Sequence, residues 1–510
     1  MLRANVTFFD TNPLGRILNR FSADIGITDD QLPHTLYDFS MLAFLVLGAL
    51  VTTVSTLPFV LLSVPFLGWY FFSVRQVFVT SSRELKRLEG LARSPIFAML
   101  SESMGGISTI RPNGAAIFFK EKFRDAHDRH TRSFFSFIAS SRWVGFRMDS
   151  LLFVFVSIVS YASVLFNEKG WFSVDPAILG LSLSVLLQLA SLFQWCVRQS
   201  AEVVNQMVST ERVLGFCELE PEAPLFQAGD AALVSSGWPQ RGTIDVQGIS
   251  VRYRKSLPLA LADLSFKIPP GSRLGIIGRT GSGKSTVVQS LFRLIEPQEG
   301  RILIDGVNIA SLGLETLRNS ISVIPQVPTL FSGCTVKENL DLFGRQSEDQ
   351  IWEVVGACHL KHIIEDLPDG LATNVAEGGS NFSVGQRQLF CLARALLSKT
   401  KVLVLDEATA NVDRRTDEYL QDAIRTAFHD GTIIAVAHRL DTIIDFDYCA
   451  VLGEGKLLEF GPPAELIREG GAFASMLEDT GECASAELRK RAFDKETESS
   501  VSERDLDHSQ

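Results

Sequence analysis

A glycine-rich segment at residues 278–286 has the residue types and the spacing of a phosphate-binding loop. Gly278 follows a short apolar strand at 273–277, and a predicted helix follows the segment. The pattern Gly-x-x-x-x-Gly-Lys-Ser lets backbone N–H groups curl around a phosphate without clashes from Cβ atoms, and the helix start adds positive potential. Lys284 can then reach the β- and γ-phosphates, while the Ser285 hydroxyl can bind Mg²⁺. The predicted ATP-binding residues here are Gly278, Arg279, Thr280, Gly281, Ser282, Gly283, Lys284, Ser285 and Thr286.

Two neighbouring carboxylates, Asp406 and Glu407, follow a second apolar strand at 402–405. Ligands bind at the carboxyl edge of open α/β sheets, so we expect these side chains beside the phosphate loop. Asp406 would hold Mg²⁺, and Glu407 would polarise the attacking water as general base. A further apolar strand at 432–436 leads to His438, which is expected to contact the γ-phosphate. These motifs predict ATP hydrolysis by an α/β domain of the P-loop NTPase class.

A serine and a glycine stand at the predicted start of another helix, which runs to about Leu397. These residues are Ser383 and Gly385, with Gln386 directly after them. A helix start of this kind can bind an anion or simply cap the helix, and the residues alone leave both possibilities open.

The first part of the chain is apolar, in contrast to the α/β part. No charged residue occurs from Phe39 to Val74, and residues 150–167 and 176–197 are two further uncharged stretches. One membrane span needs roughly 20 apolar residues, so the first run predicts two spans with a turn near Leu57 and Pro58. The predicted spans are about 37–57, 58–75, 148–167 and 176–197, within a partial all-α membrane domain at 1–214.

Loop charges predict how these spans are oriented. The segment from Arg75 to Arg142 is rich in Lys and Arg, whereas the connections at 57–58 and 167–175 carry little positive charge. Positive loops face the cytosol, so we expect the α/β domain on the cytosolic side of a plasma or vacuolar membrane. The formal net charge of −11 argues against nucleic acid as a partner.

The remaining boundaries follow from composition. Residues 215–241 are rich in Pro, Gly, Glu and Ala, which predicts a linker, and the α/β domain is expected at 242–479. Residues 480–510 are polar and charged with few large apolar side chains, which predicts a disordered tail.

The combination of a phosphate loop, a Ser-x-Gly-Gln segment, a carboxylate-bearing strand and a later histidine resembles the ATP-binding cassette (ABC) transporters. The resemblance runs from about residue 1 to residue 478 and points to the second half of subfamily C, the multidrug-resistance-associated proteins. It includes the segments Phe8–Ser22, Ser103–Arg111 and Val197–Glu202. It implies a type I exporter membrane bundle followed by an α/β nucleotide-binding cassette.

This resemblance also implies further roles at the nucleotide site. Tyr253 matches the aromatic residue that stacks on adenine, and Gln326 matches the glutamine that touches Mg²⁺ and the coupling region. Residues 383–386 match the signature motif, which binds the γ-phosphate of ATP held by an opposite cassette. Residues 408–413 match the D-loop. The implied partner is therefore the first half of the transporter, or a second copy of the chain.

Two features depart from the family pattern. Phe382 stands before the signature serine, where the family usually has Leu, and this signature is expected to face a weaker ATP site. Glu407 keeps the catalytic carboxylate, which implies that this cassette's own site is the competent one. The family pattern also has six spans in this half, so we expect a fragment that lacks two spans and the first half.

Residues at the span ends give the prediction of substrate. Arg147, Trp195 and Arg198 lie at or inside these ends. Charged residues within spans usually face a cavity, and arginines beside an aromatic ring suit amphipathic organic anions. The alternative is that both arginines lie at the cytosolic interface and extend their charges into water.

The predicted function is ATP-driven export of amphipathic organic anions or conjugates across a lipid membrane. A rival hypothesis is an ATP-gated channel or a channel-regulatory subunit of the same subfamily. A second rival is a soluble ATPase of translation or repair, against which the predicted spans argue.

Overall fold

The computed structural model describes residues 1–169, 175–254, 256–408, 412, 414–428, 430–437 and 439–507. It divides into two compact units. The helical unit consists of Met1 and Asn12–Leu219, and the α/β unit consists of Leu2–Thr11 and Glu220–Gln510.

Helix α1 (Val6–Thr11) belongs to the α/β unit, and the next six helices build the helical unit. These are α2 (Leu14–Asn19), α3 (Leu32–Thr56), α4 (Val64–Gly105), α5 (Ile107–Ile110), α6 (Ala116–Glu168) and α7 (Pro176–Cys217). Helix α3 packs along α7, and α4 packs along α6. Pro58 stops α3 from continuing, because proline lacks an N–H group and its ring clashes with the preceding turn. A short 3₁₀ turn at Pro58–Leu62 then leads into α4.

Three helical stretches are long and apolar enough to cross a membrane, among the residues that the structure describes. They are Leu14–Thr56, Ala116–Phe166 and Pro176–Cys217. The predicted span at about 58–75 is not one of them. Helix α4 begins only at Val64, and Arg75 ends its uncharged run well short of the roughly 20 apolar residues that a span requires.

The α/β unit contains ten strands among its described residues. They are β1 (Ile244–Val251), β2 (Leu261–Ile268), β3 (Arg273–Gly278), β4 (Glu299–Ile304), β5 (Val307–Asn308), β6 (Ile321–Ile324), β7 (Val402–Asp406), β8 (Thr432–Val436), β9 (Tyr448–Gly453) and β10 (Lys456–Gly461). Strands β2-β1-β4-β5 form an antiparallel sheet, and β10-β9-β3-β8-β7-β6 form the larger sheet. Within the larger sheet, β9, β3, β8, β7 and β6 run parallel. Their nearly continuous apolar runs fit a sheet that is buried on both faces.

The helices of the α/β unit cover this sheet and bury a large apolar core. After α1 they are α8 (Asp230–Ser235), α9 (Lys284–Leu291), α10 (Leu314–Ser320), α11 (Val336–Leu340), α12 (Glu348–Ala357), α13 (Lys361–Glu365), α14 (Val384–Leu397), α15 (Arg414–Ala427), α16 (Pro463–Glu469), α17 (Ala472–Glu478) and α18 (Glu482–Asp507).

Most of the predicted linker is an ordered part of the α/β unit. Arg318 donates two hydrogen bonds to the Glu222 carboxylate, at 2.8 and 3.2 Å. The Asp230 carboxylate accepts from the backbone N–H groups of Gln227 at 2.8 Å and Gly313 at 3.3 Å. These charge-assisted contacts hold the segment, and its composition gave no sign of them.

The structure also differs from the predicted disordered tail, because residues 482–507 form α18. This helix buries the side chains of Leu488 and Ala492. Its charged face is held as well, since Lys495 donates to the Asp447 carboxylate at 2.7 Å and Arg491 pairs with Asp445. Packing of a few apolar side chains and these charge pairs stabilise a helix in a segment that composition alone predicts to be disordered.

Candidate functional site

The phosphate loop joins the end of β3 to the start of α9, and its shape requires glycine at two positions. A Cβ atom on Gly278 would lie 2.3 Å from the Leu452 carbonyl oxygen and 2.5 Å from Ser282 Oγ. Gly283 has a φ of 100° directly before α9, a conformation that L-residues with side chains rarely adopt. The sequence therefore folds here into a tight loop that leads into a helix N-terminus.

Lys284 is only 5% exposed and points back along the loop. Its Nζ donates to the carbonyl oxygens of Gly278 at 2.8 Å and Arg279 at 3.2 Å. Burial lowers the pKa of Lys284, and the carboxylates of Glu407 and Asp406 oppose that shift. An ammonium group is thus held at the loop, where it can attract phosphate oxygens.

The predicted carboxylates lie at the same sheet edge. Strand pairing places Val436 beside both Ile276 of β3 and Asp406 of β7. The backbone N–H of Glu407 donates to the Val436 carbonyl at 3.0 Å, and Glu407 adopts a φ of 49°. This left-handed turn directly after β7 sets the direction in which the Glu407 carboxylate leaves the strand.

Gln326 follows the edge strand β6 and reaches the second carboxylate. Its Nε2 donates to Glu407 Oε2 at 2.5 Å. Three parallel strands, β3, β7 and β6, therefore carry Lys284, Asp406, Glu407 and Gln326 to one edge.

Two buried polar atoms at this edge have no hydrogen-bond partner within the described part of the chain. They are Ser282 Oγ and Asp406 Oδ1. Burial and the neighbouring Glu407 charge raise the pKa of Asp406, while Lys284 opposes the rise. Buried polar atoms normally have hydrogen-bond partners. A hydroxyl and a carboxylate oxygen without partners, close to a buried ammonium group, therefore fit a ligand that contains phosphate oxygens and a bound cation.

Oxygen donors suitable for Mg²⁺ are present at the same place. Asp406 offers its unpartnered Oδ1, and Ser285 is half-buried in the first turn of α9. Gln326 uses its amide nitrogen to bind Glu407, so its amide oxygen is the atom for a metal. Hard cations such as Mg²⁺ prefer carboxylate, hydroxyl and amide oxygens. Asp406, Ser285 and Gln326 offer these oxygens, so they fit a Mg²⁺ ion.

Tyr253, predicted to stack on adenine, lies beside the phosphate-loop helix. Its hydroxyl lies 3.0 Å from Thr286 Oγ1 and donates to Gln289 Oε1 at 3.0 Å. The ring is half-buried against the core of the α/β unit. These contacts fix the ring next to α9, and the stacking role stays a prediction.

The signature residues form the N-terminus of α14. Ser383 Oγ accepts from the Gln386 N–H at 3.1 Å, and the Ser383 N–H donates to Gln386 Oε1 at 2.8 Å. This reciprocal pair is a capping box. A Cβ atom on Gly385 would lie 3.0 Å from Thr416, so this helix start packs closely on α15. The contact with an opposite cassette stays a prediction.

Phe382, the departure from the family pattern, is a core residue. Its side chain is 5% exposed, and its ring packs edge-on against Phe390 with centroids 4.9 Å apart. The aromatic side chain therefore fills apolar space under α14 rather than facing a ligand.

Sequence reasoning missed Gln388, which joins the signature helix to the Gln326 segment. Gln388 is 2% exposed, and its Nε2 donates to the carbonyl oxygens of Pro325 at 3.1 Å and Gln326 at 3.3 Å. The available signal was a polar residue at the start of the apolar run Leu389–Leu392. A buried amide in such a run needs polar partners from another segment.

Two predicted features lie outside the described residues. His438 is one of them, and so is most of the predicted D-loop at 408–413, of which the structure describes Ala408 and Val412.

The two predicted substrate arginines of the helical unit each stack on an aromatic ring of their own helix. The Arg198 guanidinium carbon lies 5.7 Å from the centre of the Trp195 ring, within α7. Arg147 lies on α6 and stacks instead over Trp143, at 5.5 Å. Arg198 Nε is buried and lacks a hydrogen-bond partner among the residues described. The structure thus pairs Arg198 with Trp195 as two of the predicted residues, while the aromatic partner of Arg147 is Trp143.

Comparison with protein families fits both units. The family model described as "ABC transporter" matches residues 261–410, and the one described as "ABC transporter transmembrane region" matches residues 1–191. The first match lies in the α/β unit and includes its phosphate loop, and the second lies largely in the helical unit. The chain belongs to the ABC transporters, a family of membrane proteins with an ATP-binding domain.

Within that family the chain is similar to the C-terminal half of subfamily C proteins. It is 44% identical to ATP-binding cassette sub-family C member 4 of Homo sapiens, over 96% of this chain and 36% of that protein. It is 42% identical to sub-family C member 3 of Mus musculus, over 94% of this chain and 31% of that protein. It is 39% identical to the probable multidrug resistance-associated protein lethal(2)03659 of Drosophila melanogaster, over 96% and 35%. The chain therefore spans about a third of the length of these relatives.

Proposed function

We propose that this chain binds and hydrolyses ATP and uses the energy to export amphipathic organic anions across a membrane. One observation carries the ATPase part of the proposal. A buried ammonium, two carboxylates and an amide converge at one sheet edge, where Ser282 Oγ and Asp406 Oδ1 have no partner among the described residues.

The roles at this edge follow from charge and position. Lys284 and the loop N–H groups bind the β- and γ-phosphates, whose negative charge the ammonium group attracts. Asp406, Ser285 and Gln326 would hold Mg²⁺, which supplies neutralisation of phosphate charge when bound. Glu407 orients and deprotonates the attacking water, and its contact with Gln326 fixes the position of the carboxylate. His438 is proposed to contact the γ-phosphate.

The cassette would work with a second one, either from the first half of a longer transporter or from a second copy of this chain. Its relatives extend well beyond the matched region, which supports the first possibility. In this arrangement Ser383, Gly385 and Gln386 bind the phosphate of ATP held by the other cassette. The α/β unit lies in the cytosol, and the membrane is the plasma or a vacuolar membrane.

Arg198 and Trp195 support the proposal of an anionic substrate. A guanidinium over an indole ring on an apolar helix gives both a charge and a flat apolar surface. The buried Arg198 Nε lacks a partner among the described residues, and an anionic group would supply one.

The test is transport by the full chain, alone and co-expressed with the N-terminal half of a subfamily C relative, in inside-out vesicles. We expect ATP-dependent accumulation of a fluorescent organic anion that is lost in Glu407→Gln. Arg198→Gln should reduce uptake while leaving basal ATP hydrolysis in place. An ATP-gated conductance without accumulation, or uptake that does not need Glu407, would refute export.

A further inference from the structure

The helical unit contains an apolar cavity that the predicted substrate residues do not line. Its volume is about 660 Å³, and it lies between α3, α4, α6 and α7. Five aromatic side chains contribute to its wall, namely Phe39 of α3, Phe71 and Phe72 of α4, Phe155 of α6 and Phe193 of α7. A volume of this size lies within the range of roughly 300–1,000 Å³ that is typical of small-molecule sites.

One cation faces this apolar space. Arg75 is the only charged side chain among the described residues that line the cavity. Its Nε donates to Ser200 Oγ at a long 3.4 Å, and Ser200 itself donates to the Val197 carbonyl at 2.7 Å. No carboxylate pairs with Arg75 among the residues that the structure describes. A guanidinium held by one weak hydrogen bond beside apolar walls lacks the compensation that a charge in such surroundings normally has.

Arg147, Trp195 and Arg198 are absent from the described wall of this cavity. Arg198 stacks over Trp195, and Arg147 stacks over Trp143. The cavity and the Arg198–Trp195 pair are therefore two separate places where the helical unit combines a cation with an aromatic surface.

The geometry points to this cavity as a binding site for an amphipathic organic monoanion, with its carboxylate or sulfonate at Arg75 and its hydrocarbon body among the phenylalanines. The assignment deepens the proposed function, on which it rests for the class of substrate. A single cation matches a single negative charge, and a cavity without acidic residues among its described lining does not repel it. The aromatic walls favour a flat apolar body.

The test compares two probes of nearly equal size that differ in charge, 1-pyrenebutyrate and neutral 1-pyrenebutanol. Their binding to the full chain is measured by fluorescence, without ATP, in nanodiscs of zwitterionic phosphatidylcholine. We expect the wild-type chain to prefer the anion. Arg75→Gln should weaken pyrenebutyrate binding by about tenfold or more and leave pyrenebutanol binding unchanged. Arg75→Lys should keep most of the preference, because the charge is retained.

Matched controls separate the charge at this cavity from a charge elsewhere on the same helix. Arg83→Gln, at an exposed position of α4 that does not line the cavity, should preserve the preference for the anion, and Phe193→Ala should weaken both probes together. Unchanged anion binding in Arg75→Gln, with pyrenebutanol binding as the evidence of folding, would overturn the assignment. An equal loss of the preference in Arg83→Gln would also overturn it.

Further outcomes distinguish a lipid ligand from a soluble anion, and they distinguish binding in the cavity from ATP-driven export. Displacement of pyrenebutyrate by phosphatidylglycerol, but not by soluble benzenesulfonates, would assign the cavity to lipid and contradict the inference. Arg75-dependent anion binding without any ATP-driven uptake would support the cavity and refute export. Normal ATP-driven uptake, with no effect of Arg75→Gln on pyrenebutyrate binding, would support export and refute the assignment of the cavity.

Discussion

The α/β unit brings predicted functional residues from different elements together, whereas in the helical unit each predicted arginine stacks on an aromatic ring of its own helix. Lys284, Asp406, Glu407 and Gln326 come from distant parts of the sequence and meet at one sheet edge. In the helical unit, Arg147 stacks over Trp143 of α6 and Arg198 over Trp195 of α7. The cavity there is lined by a fourth residue, Arg75, which was not predicted to bind substrate.

The difference has a physical origin. Parallel strands end at a common edge, so a residue directly after each strand is placed near its counterparts by topology alone. A residue on a long helix faces a direction set by the rotation and crossing of its neighbours, which side-chain packing decides. A sequence motif therefore fixes a site at a strand edge far better than a site between helices.

The largest expected effect tests whether the sheet edge of the α/β unit carries out ATP hydrolysis through Glu407. Glu407→Gln should lower the rate of ATP hydrolysis by about 10²–10⁴-fold, because the amide cannot accept a proton from water. ATP binding should persist, since the phosphate loop is unchanged. The measurement is steady-state phosphate release beside equilibrium ATP binding, with the exposed Glu353→Gln as matched control. A hydrolysis rate near the wild-type value would remove Glu407 from the chemistry.

A smaller effect would test whether the loop shape requires Gly278. Gly278→Ala places a methyl group against the Leu452 carbonyl and Ser282, and should destabilise the α/β unit by about 2–3 kcal/mol. Gly281→Ala is the matched control, because a Cβ atom there meets nothing within 4 Å. Its cost should be about 1 kcal/mol, from its left-handed φ alone. Thermal unfolding of the full chain compares the two variants, and equal shifts would contradict the account of the loop.

The smallest expected effect concerns Phe382. Phe382→Leu restores the residue that the family pattern has, but removes the ring that packs on Phe390. We expect a loss of about 1 kcal/mol in the free energy of unfolding, with ATP affinity unchanged. Thermal unfolding and ATP titration are the measurements. A gain in stability, or a clear change in ATP affinity, would show that Phe382 acts on the ligand site rather than in the core.

Much of the α/β unit could be predicted from the sequence, because its motifs sit at strand ends and helix starts. The sequence was a poorer guide for segments that are held in place by residues distant in the sequence. The Glu222–Arg318 and Asp230–Gly313 contacts order a segment of linker composition, and the Asp445 and Asp447 carboxylates hold the polar helix α18. Gln388 was missed for the same reason, since its partners lie in another segment.

The helical unit was predicted in outline only. The turn at Pro58 follows from the chemistry of proline, but a window of uncharged residues did not show that α4 begins at Val64. The apolar part of that helix is consequently shorter than the predicted span. Helix packing determines which helix faces form the cavity and which cation lines it. The sequence pattern does not encode that packing.

ATP affinity of the full chain in nanodiscs is the most direct test of the central claim that the strand edge around Lys284 binds nucleotide. Isothermal titration with Mg-ATP should show that Lys284→Ala binds about tenfold or more weakly than the wild type, because a charge-assisted contact to phosphate is lost. The exposed Lys456→Ala should bind as the wild type does. Equal affinity in Lys284→Ala and Lys456→Ala would contradict the account.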